Sequence, residues 1–402
     1  MEKRPFVSVL LPVYNGENYI ATAITTVINQ TDQDYELIVS IDSSSDFSER
    51  IARKFAEDNE RIKVHAHKNR LGMRGNYEFL IDKANGSWLT ILGQDDAMMP
   101  FAISELRESF RKVPHMTSLV SRRAYAFWSD TEQKFGRNQF IYPIGVNRVS
   151  ESSSTKFLIN CLKGKSEYSQ GPQLYTGSFV SQEVVRNFSA DQDGELFPYP
   201  IPDVSSSASI LLSTRKFHYS NLPLFIVGTS GISTGVLIDE VLKTNQRALS
   251  VENTYLDAFN GRSKSFETPG LGVFSTFSWY LFEAVSKINS TDKLLRLNFD
   301  PVWALGALKA ENTRKRRIQP EFKETHLKLR ETFGANYVSV QSRFISVSFF
   351  RLRNVIIKYF KAITLFATNQ LILDKFDKDF DMLVSIENVS KRLIVKKLIS
   401  KS

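Results

Sequence analysis

The chain has 402 residues, 42% of them hydrophobic and 12% aromatic, enough to bury a full core and too apolar for large-scale disorder. Cys161 is the single cysteine, which excludes an internal disulfide and a cysteine-based zinc site and suits a reducing compartment. The net charge of +9 belongs to the tail, because residues 311–402 hold 19 Lys and Arg against 9 Asp and Glu.

The opening MEKRPFVSVLLPVYN is basic then apolar, but the apolar run ends at Pro12 without a small-residue cleavage site, so a secretory signal is not expected. No uncharged apolar stretch approaches the roughly 18–20 residues that span a bilayer. These features place the protein in the cytoplasm, either free or peripheral on the cytoplasmic face of a membrane.

In chain order, FVSVLLPV (6–13) reads as a buried strand, and Ile20, Ile24, Val27 and Ile28 then recur at helical spacing, leaving Tyr14, Asn15 and Gly16 as the turn between. YELIVSID (35–42) is a second strand ending on Asp42. Asp46 with Glu49 predicts a capping box for the helix that carries Ile51 and Phe55. IKVHAH (62–67) is a third strand, NRLGMRGN a turn, and Tyr77, Leu80, Ile81 and Ala84 one face of a helix capped by Gly86. The fourth strand, WLTIL, runs into Asp95 and Asp96.

Four strand–helix alternations in about 100 residues imply a parallel sheet with right-handed crossovers, helices on both faces and a ligand crevice at the carboxyl ends of the strands. Tyr14, Asn15, Asp42, Asn69, Arg74, Asn76, Asp95 and Asp96 all fall at that edge. Pro100 suits the first turn of a helix to Lys112, and 118–128 reads as another strand. Residues 129–143 are ragged and read as a hairpin or loop excursion. A helix follows at 154–162, then a short strand and helix within LYTGSFVSQEVVRNF, an acidic Pro-rich loop at 191–203, a helix at 204–213 and a strand over 216–227 broken by Pro223. Beyond 235 strand alternation is lost, and 349–366 forms a basic amphipathic arc with Leu352, Val355, Ile356, Tyr359, Ile363 and Phe366 on its apolar side. That arc suits either an anionic membrane surface or packing on the rest of the protein. Nucleic acid is not an expected partner, because no binding motif accompanies the charge.

Two adjacent carboxylates at a strand end suit Mg²⁺ or Mn²⁺, which would neutralise a diphosphate leaving group; the ordinary alternative is a solvated turn with capping aspartates. Asp42 can accept from a base or ribose, Arg74 can pair with phosphate, and Asn69 and Asn76 add amides, so the set favours a nucleoside diphosphate. Neither a dinucleotide-binding glycine fingerprint nor a P-loop follows the first strand. His65 and His67 share a strand face without a third ligand nearby and read as ordinary strand residues, and no nucleophile elbow surrounds any serine.

VSVLLPVYNGENYI, ELIVSIDSSSD, NRLG and GQDDAMMP, in this order and at this spacing, resemble the inverting family 2 glycosyltransferases of GT-A fold. The resemblance covers residues 5–112 well and extends weakly to about 235. It implies an α/β fold, a GT-A-like Rossmann-type nucleotide-diphospho-sugar transferase domain with a mostly parallel central sheet. That domain would span residues 1–235, with 1–112 binding the nucleotide sugar and 113–235 the acceptor, followed by a mainly α-helical, basic C-terminal region at 236–402.

The resemblance further implies a UDP-, GDP- or dTDP-sugar donor and a glycan or lipid-linked acceptor, as in cell-surface polysaccharide synthesis. Pro12, Tyr14, Asn15 and Asp42 would hold base and ribose, Asp95 would lie near ribose and metal, and Asp96 would be the more direct metal ligand. The family's catalytic carboxylate is best matched by Asp203, for which helix capping is the competing role; Glu195, Asp191 and Asp193 are the other acids of that loop. The chain departs from the family pattern at Gly93 and Ile41, which stand where many members have acids. It also departs at GTSGIST, which lacks the histidine many members place after the preceding strand. Those departures motivate a second reading, a catalytically lapsed transferase-like binding module. A third, a nucleotidyltransferase, lacks a basic Gly-rich loop after the first strand.

Overall fold

The computed structural model describes residues 4–233, apart from 132–136, 146–147, 164, 192–196 and 198–201, and then parts of 343–357, 371–375 and 381–399. Its strands are β1 (Val7–Val13), β2 (Tyr35–Ile41), β3 (Ile62–Ala66), β4 (Trp88–Ile91), β5 (Ala97–Met98), β6 (Ser118–Phe127), β7 (Gln139–Pro143), β8 (Val149–Ser153), β9 (Ser178–Ser181), β10 (Lys216–Thr229) and β11 (Leu371–Lys375). The helices are α1 (Ile20–Ile28), α2 (Ser48–Glu57), α3 (Gly72–Lys83), α4 (Ala102–Lys112), α5 (Ser154–Leu162), α6 (Gln182–Asp191), α7 (Pro202–Ser213) and α8 (Met382–Ile399).

The fold is α/β. Strands β3, β2, β1 and β4 lie side by side and parallel, with Leu10 of β1 facing Ile38 of β2 and Ile91 of β4. β9 joins β4 antiparallel, and β6 lies beyond it, paired with β9 and β7 antiparallel and with β10 parallel. Both β1 and β2 are near-continuous apolar runs because they are covered on both faces. Val9, Leu11 and Val13 pack with Ile24 and Val27 of α1, Ala52 of α2 and Leu106 of α4. Leu10 and Ile38 pack on the opposite side with Tyr77 and Leu80 of α3, Val184 and Val185 of α6 and Ile210 of α7. Each fully buried aliphatic side chain in these two layers contributes about 1.5–3 kcal/mol of transfer free energy.

Two local expectations are corrected. Asp46 does not form a capping box with Glu49: its Oδ1 accepts from the Ser48 amide (3.0 Å) and its Oδ2 from the Glu17 amide (2.9 Å), tying the start of α2 to the β1–α1 turn. Gly86 does not cap α3, which ends at Lys83 with Ala84 as its C-cap; it lies against β1 and donates its amide to Ser8 Oγ at 2.7 Å. The ragged 129–143 region forms the hairpin that the sequence offered as one alternative: β7 pairs antiparallel with β6, and its Phe140 and Tyr142 are fully buried.

The chain also returns to this sheet from its far end. No strand is expected beyond 235, yet β11 pairs antiparallel with β7. Met382, Ile386 and Val389 of α8 close a third apolar cluster over Tyr19, Trp128, Phe140 and Tyr142. Most of the amphipathic stretch 349–366 lies outside the described residues.

Candidate active site

The first turn of the site is held by a side-chain amide. Gln94 accepts the Tyr14 amide at 2.9 Å and donates back to the Tyr14 carbonyl at 3.2 Å, so the end of β4 sets the path of the chain leaving β1. Asn15 takes a left-handed conformation (φ 48°), donates its amide to Ser44 Oγ (3.0 Å) and accepts the Ser45 amide (2.9 Å). Pro12 is the last-but-one residue of β1. Tyr14 stays 40% exposed, with the Arg70 guanidinium 4.1 Å from its ring centre, a stacked cation at the rim that sequence reasoning did not single out.

Several predicted ligands are engaged by the protein itself. Both oxygens of buried Asp42 accept backbone amides at the start of α3, Leu71 at 2.5 Å and Gly72 at 3.0 Å, so this carboxylate anchors the NRLG turn. Arg74 pairs with Glu78 at 2.9 Å on the same helix. Buried Asn76 donates to the Ser40 carbonyl (3.3 Å), leaving its Oδ1 unpartnered, and Asn69 is exposed in the turn. Each sits at the carboxyl edge of the parallel strands, but Asp42 and Arg74 reach it already bonded.

Asp96, 1% exposed, gathers three segments. Its Oδ1 accepts the Gly228 amide (2.7 Å) from β10, and its Oδ2 accepts the Gly93 amide (3.1 Å) and the Thr176 hydroxyl. Asp95, 8% exposed, accepts the hydroxyls of Ser230 (2.7 Å) and Ser233 (2.6 Å) on Oδ2. These serines belong to GTSGIST, so the segment without a histidine supplies hydroxyls to Asp95 instead. Burial raises both carboxyl pKa values. For Asp96 burial and then the neighbouring Asp95 charge push it up to about 7; for Asp95 the two serine hydroxyls oppose the burial.

Gly93 is filled from outside. A Cβ there would run into Asp96 Oδ2 and lie 2.8 Å from the Tyr175 hydroxyl, so an acid cannot stand at this position without displacing both. Tyr175 also connects the two halves of the site: its phenol, raised well above the ordinary value by burial first, is pushed further by the charges of Asp96, Asp95 and Asp203.

Asp203 is the second residue of α7, after Pro202. The Tyr168 hydroxyl donates to its Oδ2 at 3.3 Å, and burial lifts its pKa, with the Val204 amide and the Arg123 charge offsetting part of the rise. Asp191 ends α6, while Asp193 and Glu195 lie outside the described residues. Residues 174–177 bind the halves together: the Leu174 amide donates to Ser206 of α7 (3.0 Å), Thr176 reaches Asp96, and the Gly177 carbonyl accepts the Ser121 amide (2.8 Å).

His65 lies on β3 and His67 just after it; both are edge-on to Phe79, and His67 is bonded to Ser40. Among the described residues one group has metal-ligating composition, Glu151 and His218 on the β8–β10 pair with His115 from the loop between α4 and β6, and Lys216 holds the carboxylate at 2.6 Å.

The arrangement defines an α/β protein with a cluster of buried carboxylates at the carboxyl edge of its parallel strands. Residues 8–164 match the family model described as "Glycosyl transferase family 2". A GalNAc(5)-diNAcBac-PP-undecaprenol beta-1,3-glucosyltransferase of Campylobacter jejuni is 34% identical over 105 residues, 26% of this chain and 34% of the relative. A putative glycosyltransferase, EpsH, of Bacillus subtilis is 35% identical over 127 residues, 32% of this chain and 36% of the relative. The matched segments thus span about a third of these relatives. Among solved structures, S. aureus TarS 1-349 in complex with UDP-GlcNAc aligns with a TM-score of 0.43 at 14% identity, covering 82% of this chain and 93% of that one.

Proposed function

We propose that this protein is a glycosyltransferase that moves a sugar, with inversion, from a nucleoside-diphosphate sugar to a hydroxyl of a glycan or lipid-linked acceptor. The observation that carries the reading is the convergence, through residues 174–177, of a carboxylate pair at the strand edge with a second carboxylate, Asp203, on α7. The match of residues 8–164 to the family 2 glycosyltransferase model and the glucosyltransferase name of the Campylobacter relative support it. Residues 1–235 would form the transferase domain, the first 112 facing the donor and the rest the acceptor, with 236–402 as the C-terminal region.

In the reaction, Asp203 takes the proton of the acceptor hydroxyl, the oxygen attacks the anomeric carbon, and the carbon–oxygen bond to the diphosphate breaks, its electron pair leaving with the nucleoside diphosphate. The chemistry of the donors argues for a hard divalent cation, Mg²⁺ or Mn²⁺: two adjacent buried carboxyls with raised pKa values favour a positive charge beside them. Asp95 fits as its ligand, since Ser230 and Ser233 can rotate their hydrogens away and offer lone pairs. Asp96, saturated by two amides and a hydroxyl, serves as the frame that aims Asp95. Bound there, the cation would stabilise the departing diphosphate. Pro12, Tyr14, Asn15, Asn69 and Asn76 would line the base and ribose side, with Asp42 and Arg74 holding the turn in place.

Calorimetry with UDP-, GDP- and dTDP-sugars, with and without Mn²⁺, tests the reading: metal-dependent binding and slow hydrolysis of one donor are expected. The departures at Gly93 and GTSGIST favour a second reading, a binding module without catalysis, for which donor would bind and never turn over. Phe349, Leu352 and Ile356 are exposed within the basic arc, which supports peripheral contact with a cytoplasmic membrane face. No helix among the described residues is long and apolar enough to cross a membrane.

A further inference from the structure

Arg123 lies on β6, and its Nε and Nη2 are buried with no hydrogen-bond partner among the described residues. Space for the guanidinium comes from Gly177, whose φ of 118° suits glycine and whose Cβ, if present, would lie 2.6 Å from Nε and 3.3 Å from Nη2. The acid it influences is Asp203, yet no ion pair joins the two among the described residues, and Asp203 keeps a raised pKa. A guanidinium stays protonated at any working pH and presents its donors as a planar fork. Two such donors left unmade in a buried pocket are costly, and the group that satisfies both at once is an anion with two oxygens, a phosphate or a carboxylate.

The position favours the acceptor as the source of that anion. Arg123 lies against Gly177 and its charge acts on Asp203, the proposed base, whereas the donor edge is built from β1, β2 and β4. We propose that Arg123 is the anion-binding residue of the acceptor subsite, so that the acceptor carries a phosphate or carboxylate close to the hydroxyl that is glycosylated. The proposal rests on the donor and base assignments made above and adds the chemical class of the acceptor.

The test loads the full-length chain with whichever nucleoside diphosphate it binds, plus Mn²⁺, and titrates inorganic phosphate, then acetate, by calorimetry into wild type, Arg123→Gln and Arg123→Lys. The expected result is a phosphate or acetate site in the loaded wild type that weakens at least about tenfold in Arg123→Gln, the effect of losing a charged hydrogen-bonding partner. Arg123→Lys should be weaker than wild type because the fork is lost, and nucleotide affinity should change less than about threefold. The stronger of the two anions names the group. Three outcomes overturn the proposal: neither anion binds loaded wild type, Arg123→Gln binds as wild type does, or nucleotide affinity falls in parallel, which would give Arg123 to the donor diphosphate. If Arg123→Gln does not fold, unchanged anion affinity in Arg123→Lys overturns it. A wild type that binds anion at Arg123 but no nucleotide would sink the donor-site assignment while leaving the anion site standing.

Discussion

Thr176 donates its hydroxyl to Oδ2 of Asp96, joining residues 80 positions apart, and through Asp96 it is joined to the Gly228 amide on β10. The carboxylate is therefore a node at which β4, β10 and the 174–177 segment meet. Thr176→Val is expected to lower stability by about 1–3 kcal/mol, the range for a lost hydrogen bond to a charged group, and to weaken Mn²⁺-dependent nucleotide binding. Thr176→Ser should restore both, as measured by denaturant unfolding and calorimetry.

Asp95 and Asp96 should separate by readout. Asp95→Asn is expected to abolish the Mn²⁺ dependence of donor binding with little loss of stability. Asp96→Asn places an NH₂ group against donors and should destabilise the fold by about 1–3 kcal/mol. Equal effects of both variants on metal dependence, with no difference in unfolding midpoint, would contradict the division of roles.

Restoring the acid of the family pattern should harm this protein. Gly93→Asp pushes a side chain against Asp96 Oδ2 and the Tyr175 hydroxyl, an overpacking cost of about 1–3 kcal/mol. Adding Tyr175→Phe removes part of the obstruction, so the double variant should be more stable than the sum of the singles implies, which a double-mutant cycle measures.

Asp203→Asn should reduce transfer by about 10²–10⁴-fold while the fold and donor affinity persist. Burial raises the Asp203 pKa, so its basic form is lost on acidification earlier than for an ordinary aspartate. The acid limb of the rate profile should accordingly lie above the ordinary Asp range near 3.9 and disappear in the variant.

Glu36 provides a stability test away from the site. Burial raises its pKa, but the Ser8 hydroxyl, Lys63 and the Asn85 amide together bring it below the ordinary value. A depressed folded pKa contributes stability that is present above the unfolded value, near 4.3, and is lost as pH falls through the folded one. Glu36→Gln should thus cost stability at pH 7 and cost progressively less as the pH is lowered below about 4, read as unfolding midpoints.

The first 112 residues were legible because their strands are continuous apolar runs separated by helices of clear periodicity, and such local patterns need no knowledge of the partner strand. That placed Asn15, Asp42, Asp95 and Asp96 at one edge. It could not separate Asp95 from Asp96, because their difference arises from Gly228, Ser230 and Ser233, more than 130 positions away. The bonds of Asp42 were illegible for a similar reason: an acid at a strand end has the same sequence signature whether or not the amides of Leu71 and Gly72 reach it. The signal for Gln94 was present in QDD, but its bidentate hold on Tyr14 depends on the β1–β4 pairing.

By itself the sequence determined the alternation of strands and helices, the parallel half of the sheet and the ridge of polar residues along its carboxyl edge, since each follows from short-range period and turn chemistry. Tertiary structure alone decided which acid is bonded to backbone amides and which to serine hydroxyls, how Tyr175 comes to fill the space beside Gly93, and that β11 and α8 fold back onto the first sheet. The physical reason is that a carboxylate's role is set by the donors that reach its two oxygens, and those donors come from segments whose meeting only the folded chain brings about.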